Sequence, residues 1–275
     1  MTIAVEAVRS VEEMRSVVAL QQALLGEGAH AIWRLSHLLH IQQSGGLLLV
    51  ARNDTSQASN SVCGILIDLI AEADNYPARR TVSWGVDSQQ RNHGIGTRLR
   101  KFERRTLQKR GVDLVFWDID PLSSVELHIA LNTLGGIVVG RLASDQVRVE
   151  WWIDSPRVTG VMGHGLPLPH QQIGLHEMSV LTKTTILPTG VRSLIECDER
   201  ITADHVLVEI PEDLGDLEAR DHEAAIQWRL RSRVLIEQLL QMSYLGVGLI
   251  HEGGRSFLLF KRGTRRSELS LGKGR

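Results

Sequence analysis

One stretch of the chain constrains the fold more than any other: a predicted strand that runs through a glycine-containing loop into a predicted helix. Residues 81–86 are an apolar run typical of a strand, and residues 87–93 form the polar part of the loop. From 95 to 110, apolar residues recur at helical spacing. The first amides of a helix lack partners within it and carry partial positive charge, and Gly94 and Gly96 let a phosphate approach them closely. The stretch therefore predicts a site for a pyrophosphate.

The remaining pattern predicts an α/β fold in the first part of the chain. Hydrophobic spacing predicts these further elements: strand 3–8, helices 11–25 and 31–43, strands 47–51 and 62–70, strand 112–119, helix 123–134, and strands 137–142 and 147–153. Residues 155–202 show a weaker pattern, which predicts connecting structure with a few short strands.

The last part of the chain predicts a second block. Its elements are strand 205–210, a long helix at 214–242 and a hairpin of strands 244–251 and 256–261. Residues 112–153 have the same order of strand, helix, strand and strand, although the residues do not visibly align. We therefore predict a first domain at 1–160, an irregular segment at 161–204, a degenerate half-copy at 205–261 and a basic tail at 262–275.

Charge and cysteine content exclude several classes of protein. The 275 residues include 31 Lys and Arg and 32 Asp and Glu, for a net charge of −1, which gives no general attraction to nucleic acid or an anionic membrane. Cys63 and Cys197 lie too far apart for a metal or redox motif. No apolar run approaches the ~18 residues of a membrane span, and no signal-peptide pattern opens the chain. We expect a soluble, cytoplasmic protein without a nucleic-acid or membrane partner.

The histidines do not predict a metal site. They form two groups: His30, His37 and His40, in or just before the predicted helix 31–43, and His164, His170 and His176 in the irregular segment. Neither group has a metal-ligand spacing with carboxylate or thiol support, so we predict no metal.

The loop resembles the acyl-CoA-binding signature of the GNAT N-acyltransferase superfamily, Arg/Gln-x-x-Gly-x-Gly/Ala, as Arg91-Asn92-His93-Gly94-Ile95-Gly96. The order of helix pair, three strands, signature, helix, strand, helix and strand is also similar to the GNAT order. Further pieces resemble GNAT-like proteins of this length with a C-terminal extension: Asp120-Pro121-Leu122, the Leu134-Gly135 helix end, residues 151–158, Glu209-Ile210-Pro211 and Trp228-Arg229.

This resemblance implies a GNAT fold, an α/β (α+β) fold with a mixed, mainly antiparallel central sheet, followed by a C-terminal strand-helix-strand-strand extension. It also implies that acetyl-CoA or another acyl-CoA lies in a V-shaped split between the strand ending at Val86 and the strand at 112–119. The pyrophosphate would bind the amides of 92–97, and the acyl carbonyl would face an amide near Val86. The implied cofactor contacts are Trp84, Val86, Arg91, Asn92, His93, Gly94, Ile95, Gly96 and Thr97. Trp33, Arg34 and His37, in the helix pair, are the implied contacts to a small amine substrate.

Two proton-transfer residues that are common in the resembling family are absent from this sequence. The tyrosine that protonates the leaving sulfur in many GNAT enzymes falls at Leu131, and no obvious glutamate precedes the loop. Asp120, after a predicted strand, and His128, on the next helix, are our candidate catalytic residues. The structural alternatives are a helix cap for Asp120 and a packed helix histidine for His128. Because the pKa of an α-amine is about 7.7–8.0 and that of lysine about 10.4, weak base catalysis favours acyl transfer to α-amines such as amino acids.

Several alternatives stay open. The loop is also compatible with a dinucleotide site, with Asp118 as its acidic residue, although the third glycine of that fingerprint falls at Leu99. It is also compatible with a helix end that holds only water. A non-catalytic acyl-CoA-binding or regulatory module is the alternative function, succinyl-CoA is an alternative donor, and a homodimer is a possible assembly.

Overall fold

The computed structural model of the chain describes residues 2–26, 32–53, 62–141, 145–166, 168, 178–198 and 200–269. The chain forms two compact units, Met1–Trp117 and Asp118–Arg275. Their boundary therefore falls at 117–118, and the predicted first domain ends at 160. Within the described ranges, no helix combines the length and the apolar character that a membrane crossing needs.

The first unit is a sheet with helices. Its strands are β1 (Ile3–Ala7), β2 (Leu47–Asn53), β3 (Val62–Ala73), β4 (Tyr76–Val86) and the greater part of β5 (Leu114–Ile119); its helices are α1 (Val11–Leu25), α2 (Leu35–Gln43) and α3 (Ile95–Gln108). Strands β1 to β4 pair antiparallel in chain order, and β5 pairs parallel to β4.

Helices α1 and α2 pack against β2 and β3 through one apolar cluster. Met14, Val17 and Leu38 from the helices meet Val50 and Ile65 from the strands, and all five are buried. A capping box starts α1: the Ser10 hydroxyl accepts from the amide of Glu13, and the Glu13 carboxylate accepts from the amide of Ser10. These local features agree with the predicted elements, and β3 and β4 run longer than their apolar runs indicated.

The second unit contains the rest of the chain. Its helices are α4 (Ser124–Leu127), a π-helix (His128–Thr133), α5 (Pro156–His164), α6 (Leu214–Arg220), α7 (His222–Gln241) and α8 (Arg265–Leu269). Its strands are β6 (Ile137–Arg141), β7 (Val147–Trp152), β8 (Ser179–Val180), β9 (Thr182–Ile186), β10 (Arg192–Cys197), β11 (His205–Ile210), β12 (Tyr244–Glu252) and β13 (Arg255–Arg262). Six of these strands form a sheet in the order β7-β6-β12-β13-β11-β8, and β9 and β10 form a separate hairpin.

The predicted fold class is confirmed: the fold is α/β, the strand pairs are mainly antiparallel, and the C-terminal part adds strands and helices. The order of elements from β1 to β7 is also the order that the resemblance implies. In the sheet of the second unit, the hairpins β6–β7 and β12–β13 lie side by side, and β6 pairs antiparallel with β12 at Val138 and Gly246. The half-copy interpretation of 205–261 stays a prediction.

Three predicted elements differ from the structure, each for a local reason. The long helix predicted at 214–242 is two helices, because Asp221 lies outside helical geometry and its carboxylate accepts from the amide of Ala224, which starts α7. Helix α5 lies in the stretch predicted as irregular; Ser155 caps it and Pro156 occupies its first turn, a signal that the weak apolar pattern obscured. The predicted basic tail contains α8, whose Glu268 forms ion pairs with Arg157 and Lys261.

Candidate functional site

The pairing between β4 and β5 stops partway along β4. Ala78, Arg79 and Arg80 pair with residues 114–116 of β5, and among the described residues no ladder pair joins 81–86 to that strand. Residues 82–86 are each partly exposed, although β4 has a neighbouring strand on both sides. Apart from the Val86 carbonyl, to which Nε of Arg91 donates, the backbone groups that β4 directs toward β5 in this segment are therefore available to a ligand.

A β-bulge lies next to the point where this pairing stops. On the other edge of β4, Ser83 pairs with Ile67 and Thr81 with Asp68, so that Val82 is an extra residue in the β4 strand. A bulge bends its strand and increases its twist. The bulge therefore gives a physical reason for the separation of β4 from β5, and the sequence pattern did not reveal it.

The loop after β4 places a left-handed residue at the start of α3. Asp87 caps one turn of 3-10 helix at Ser88–Gln90 by accepting from the amide of Gln89 at 3.0 Å. Asn92 and Gly94 have φ values of 64° and 72°. Gly94 is the N-cap of α3 without a side-chain cap, and the first turn of α3 contains no acidic residue. The amides of 95–97 therefore begin the helix without a competing anion from their own turn.

The two glycines of the signature have different roles. A Cβ at Gly94 would have no heavy atom within 4 Å, so this position needs glycine for its backbone angle. A Cβ at Gly96 would lie 3.2 Å from Cζ2 of Trp84, so this glycine lets the first turn of α3 pack on the Trp84 indole. Nε1 of Trp84 is buried and has no hydrogen-bond partner among the residues that the structure describes. The sequence predicts that both glycines let a phosphate approach the helix amides. The structure adds that Gly96 also allows α3 to pack on Trp84.

Polar side chains of the loop and of the start of α3 bind backbone carbonyl groups. Nε of Arg91 donates to the carbonyl of Val86 at 3.4 Å, and Nδ1 of His93 lies 2.8 Å from the carbonyl oxygen of Arg91. Nη1 of Arg98, one turn into α3, donates to the carbonyl of Ile3 at 3.3 Å. Arg91, His93 and Arg98 are nevertheless exposed, so their cationic or imidazole groups face the solvent beside the helix start.

A buried arginine connects the two strands that separate. The Arg100 guanidinium, on α3, lies 4.3 Å from the ring centroid of Trp84 on β4 and 4.2 Å from that of Trp117 on β5. Its Nη1 donates to Thr81 and Glu103, each at 2.9 Å. Such a sandwich combines cation–π attraction with an ion pair between side chains that are both 0% exposed. Sequence reasoning missed Arg100; the available signal was a pair of opposite charges at i and i+3 on the helix.

Two carboxyl groups share this buried environment. Burial raises the pKa of Asp68, on β3, and it raises the pKa of Glu103 well above its usual range. The Asp68 carboxyl raises the pKa of Glu103 further, whereas Arg100 opposes this increase. Arg100 therefore acts on both buried acids, and Arg79 also favours the charged form of Asp68.

The three residues predicted to contact an amine substrate lie around the start of α2, which begins at Leu35, so residues 32–34 of the predicted helix 31–43 are not helical. Gln21, fully buried on α1, holds the backbone of Trp33 by accepting from its amide and donating to its carbonyl. The Trp33 and His37 rings meet edge to face with centroids 6.0 Å apart. Arg34 is the N-cap residue of α2, and both Arg34 and His37 are exposed. The structure thus places these side chains on one short segment.

The second unit contains the two predicted catalytic residues. Oδ1 of Asp120 accepts from the amide of Leu122 and Oδ2 accepts from Arg229, each at 2.9 Å. The cap of α4 is Ser123, so the cap alternative for Asp120 is wrong. His128 is exposed and begins the π-helix, and burial of part of its ring, followed by the charge of His251, lowers its pKa. Leu131 is fully buried, so an apolar side chain occupies the position of the expected tyrosine.

The alternative sites receive little support from side-chain contacts. The Asp118 side chain is 8% exposed, and its Oδ1 lies 4.0 Å from Nε of Arg148. Little of its carboxylate is therefore accessible for hydrogen bonds to the ribose of a dinucleotide. Across the described ranges, no three His, Cys, Asp or Glu residues form a group that could hold a metal ion. His30, His170 and His176 lie outside the described residues.

Known proteins were compared with the chain by sequence and by structure. The sequence matches no protein-family model and no curated protein. Among solved structures, one similar chain comes from the NatC complex bound to Gag peptide and CoA, with 18% identity, 55% of this chain and 96% of that chain covered, and a TM-score of 0.46. A second is the ribosomal-protein-S18-alanine N-acetyltransferase of Escherichia coli, with 15% identity, 55% of this chain and 94% of that chain covered, and a TM-score of 0.42. A third is a GNAT family N-acetyltransferase of Escherichia coli in complex with CoA, with 15% identity, 58% of this chain and 86% of that chain covered, and a TM-score of 0.43.

Proposed function

We propose that the protein is an acyl-CoA-dependent N-acyltransferase, which moves an acetyl or another short acyl group directly to a small amine. The observation that carries the proposal is the set of amides at 95–97, which begin α3 after the left-handed Gly94 and next to the open part of β4. Amides in this arrangement favour a pyrophosphate. The freed edge of β4 at 82–86 supports the proposal because an extended pantetheine arm can pair with it as a strand would.

The proposed reaction balances without a metal or a redox step. The amine nitrogen attacks the thioester carbonyl, the C–N bond forms, and the C–S bond breaks. The coenzyme leaves as a thiolate that takes up a proton, and the amine loses one. A backbone amide of β4 near Val86 would stabilise the oxyanion. Because a thiol has a pKa of about 8.5, its thiolate leaves readily without a dedicated acid, which is compatible with a leucine at position 131.

Asp120 and His128 stay our candidates for proton transfer, and the contacts favour His128. Both oxygens of Asp120 accept hydrogen bonds, one of them from the cation of Arg229. His128 is exposed, and its lowered pKa keeps its imidazole neutral and able to accept a proton near pH 7. Trp33, Arg34 and His37 are the proposed contacts to the amine.

The test measures binding first and turnover second. Calorimetric titration of the full chain with CoA, acetyl-CoA and succinyl-CoA should give heat, and CoA lacking its pyrophosphate should give none. Release of free thiol is then followed with a panel of α-amines, lysine side-chain amines and other small amines. Binding with turnover supports the enzyme, and binding without turnover on any amine supports an acyl-CoA-binding module. No heat with any CoA would overturn both.

A further inference from the structure

One helix side chain lies directly on the backbone of the open part of β4. Trp84 packs on the α3 side of the sheet, so Gly85, the next residue, faces the opposite side, where α1 lies. Cδ1 of Leu24, in the last turn of α1, lies 2.6 Å from the position that a Cβ on Gly85 would occupy. The Leu24 methyl group therefore fills the space that any side chain at position 85 would need.

Neighbouring side chains hold Leu24 in this position. It is partly buried and packs against the apolar cluster that α1 and α2 form with β2 and β3. The next residue, Leu25, has half of its surface exposed. On the other side of the sheet, Trp84 and Trp117 enclose the Arg100 guanidinium, so that space is occupied as well. Residues 84 and 85 of β4 are thus bounded by packed side chains on both faces of the sheet.

We propose that Leu24 limits the length of the acyl group that the protein accepts, an inference that rests on the proposed function. In that function the acyl carbonyl faces a β4 amide near Val86, one residue from the backbone that Leu24 covers. A chain that extends past the carbonyl on the α1 side meets the Leu24 methyl group. We therefore expect acetyl-CoA to be accepted and a longer donor such as butyryl-CoA to be disfavoured.

Because Leu24 packs on Gly85, one substitution can empty the space between them and a second can fill it again. Leu24→Ala removes the isobutyl group from the face of Gly85 and should accept longer chains. Hydrophobic pockets discriminate between chains that differ by one methylene by about 10- to 200-fold. We therefore expect the ratio of kcat/KM for butyryl-CoA to that for acetyl-CoA to rise at least about tenfold.

Two further variants separate chain-length control from general damage. Leu25→Ala changes the adjacent, half-exposed leucine of the same helix turn and should leave the ratio unchanged. Gly85→Ala, added to Leu24→Ala, returns one methyl group to the emptied space and should lower the ratio again. A merely structural role for Leu24 would lower activity with all donors together and would leave their ratio constant in every variant.

The possible results distinguish this inference from the proposed function. If the unaltered chain transfers acyl groups and Leu24→Ala, folded by its thermal unfolding profile, keeps the unaltered ratio, the inference fails and the function stands. If Leu25→Ala changes the ratio as much as Leu24→Ala does, the inference also fails. If the unaltered chain neither binds nor turns over any acyl-CoA, the function itself fails.

Discussion

The start of α3 and the helical segment at 124–133 differ in how much of the expected chemistry they retain. At the start of α3, the left-handed Gly94, the amides without a competing acid and the freed edge of β4 are all present. In the segment at 124–133, the expected tyrosine is the buried Leu131, and a π-helix begins at His128. Donor binding depends on main-chain geometry that many sequences can form, whereas proton transfer depends on individual side chains. The contrast explains why the binding half of the proposal is better supported.

The largest expected effect concerns the buried arginine of the binding region. Arg100→Met should lower the free energy of unfolding by about 3–5 kcal/mol, because it removes the guanidinium that pairs with buried Glu103 and leaves Arg79 as the other cation acting on Asp68. Chemical denaturation measures the change. Arg105→Met is the matched control on the exposed face of α3 and should cost less than about 0.5 kcal/mol. Equal stability of the two variants would contradict the role assigned to Arg100.

The second prediction tests whether acyl transfer takes place without a strong general base in the site. At pH 7 the neutral fraction of an α-amine exceeds that of a lysine side chain by about 340-fold, given pKa values of about 7.8 and 10.4. We expect small α-amines to be better acceptors than lysine side chains by a large part of that factor. The ratio should fall as the pH rises to 9, because the α-amine is then almost fully neutral while the neutral fraction of lysine is still rising. A higher rate of acyl transfer to lysine side chains than to small α-amines at pH 7 would indicate that the site contains a strong general base.

The third prediction concerns the main-chain geometry of the loop. Gly94→Ala should weaken CoA binding about tenfold or more, because alanine disfavours a φ of 72° and the amides of 95–97 would reorient. Gly111→Ala is a matched control: Gly111 follows α3, has a φ of 68°, and a Cβ there also has no heavy atom within 4 Å. Both variants carry the same backbone strain, so only the first should lose affinity by calorimetry. A similar loss in both would mean that stability, not the amide site, controls binding.

Whether a feature of the fold or of the candidate site could be predicted from the sequence depends on how far apart its residues lie along the chain. The strand, loop and start of α3 were predictable because β4, Gly94 and the apolar positions of α3 are neighbours in sequence. The contact between Leu24 and Gly85 joins residues far apart in the chain, as does the network of Asp68 and Arg100. No local pattern reports such contacts, since they depend on how the strands pair. The bulge at Val82 was hidden for the same reason.

The smallest expected effect is a pH dependence in the segment at 124–133. Burial, followed by the charge of His251, lowers the pKa of His128 below its usual value near 6.5. The unfolded chain therefore binds more protons than the folded one between the lowered value and about 6.5, and stability should fall as the pH drops through this window. His128→Gln should reduce that dependence, as measured by denaturation at several pH values. His251→Gln should raise the pKa of His128 only part of the way to its usual value, because burial is the main cause of the lowered pKa. NMR titration of the imidazole measures this pKa. A return of the pKa to its usual value in this variant would show that the charge of His251 is the main cause instead.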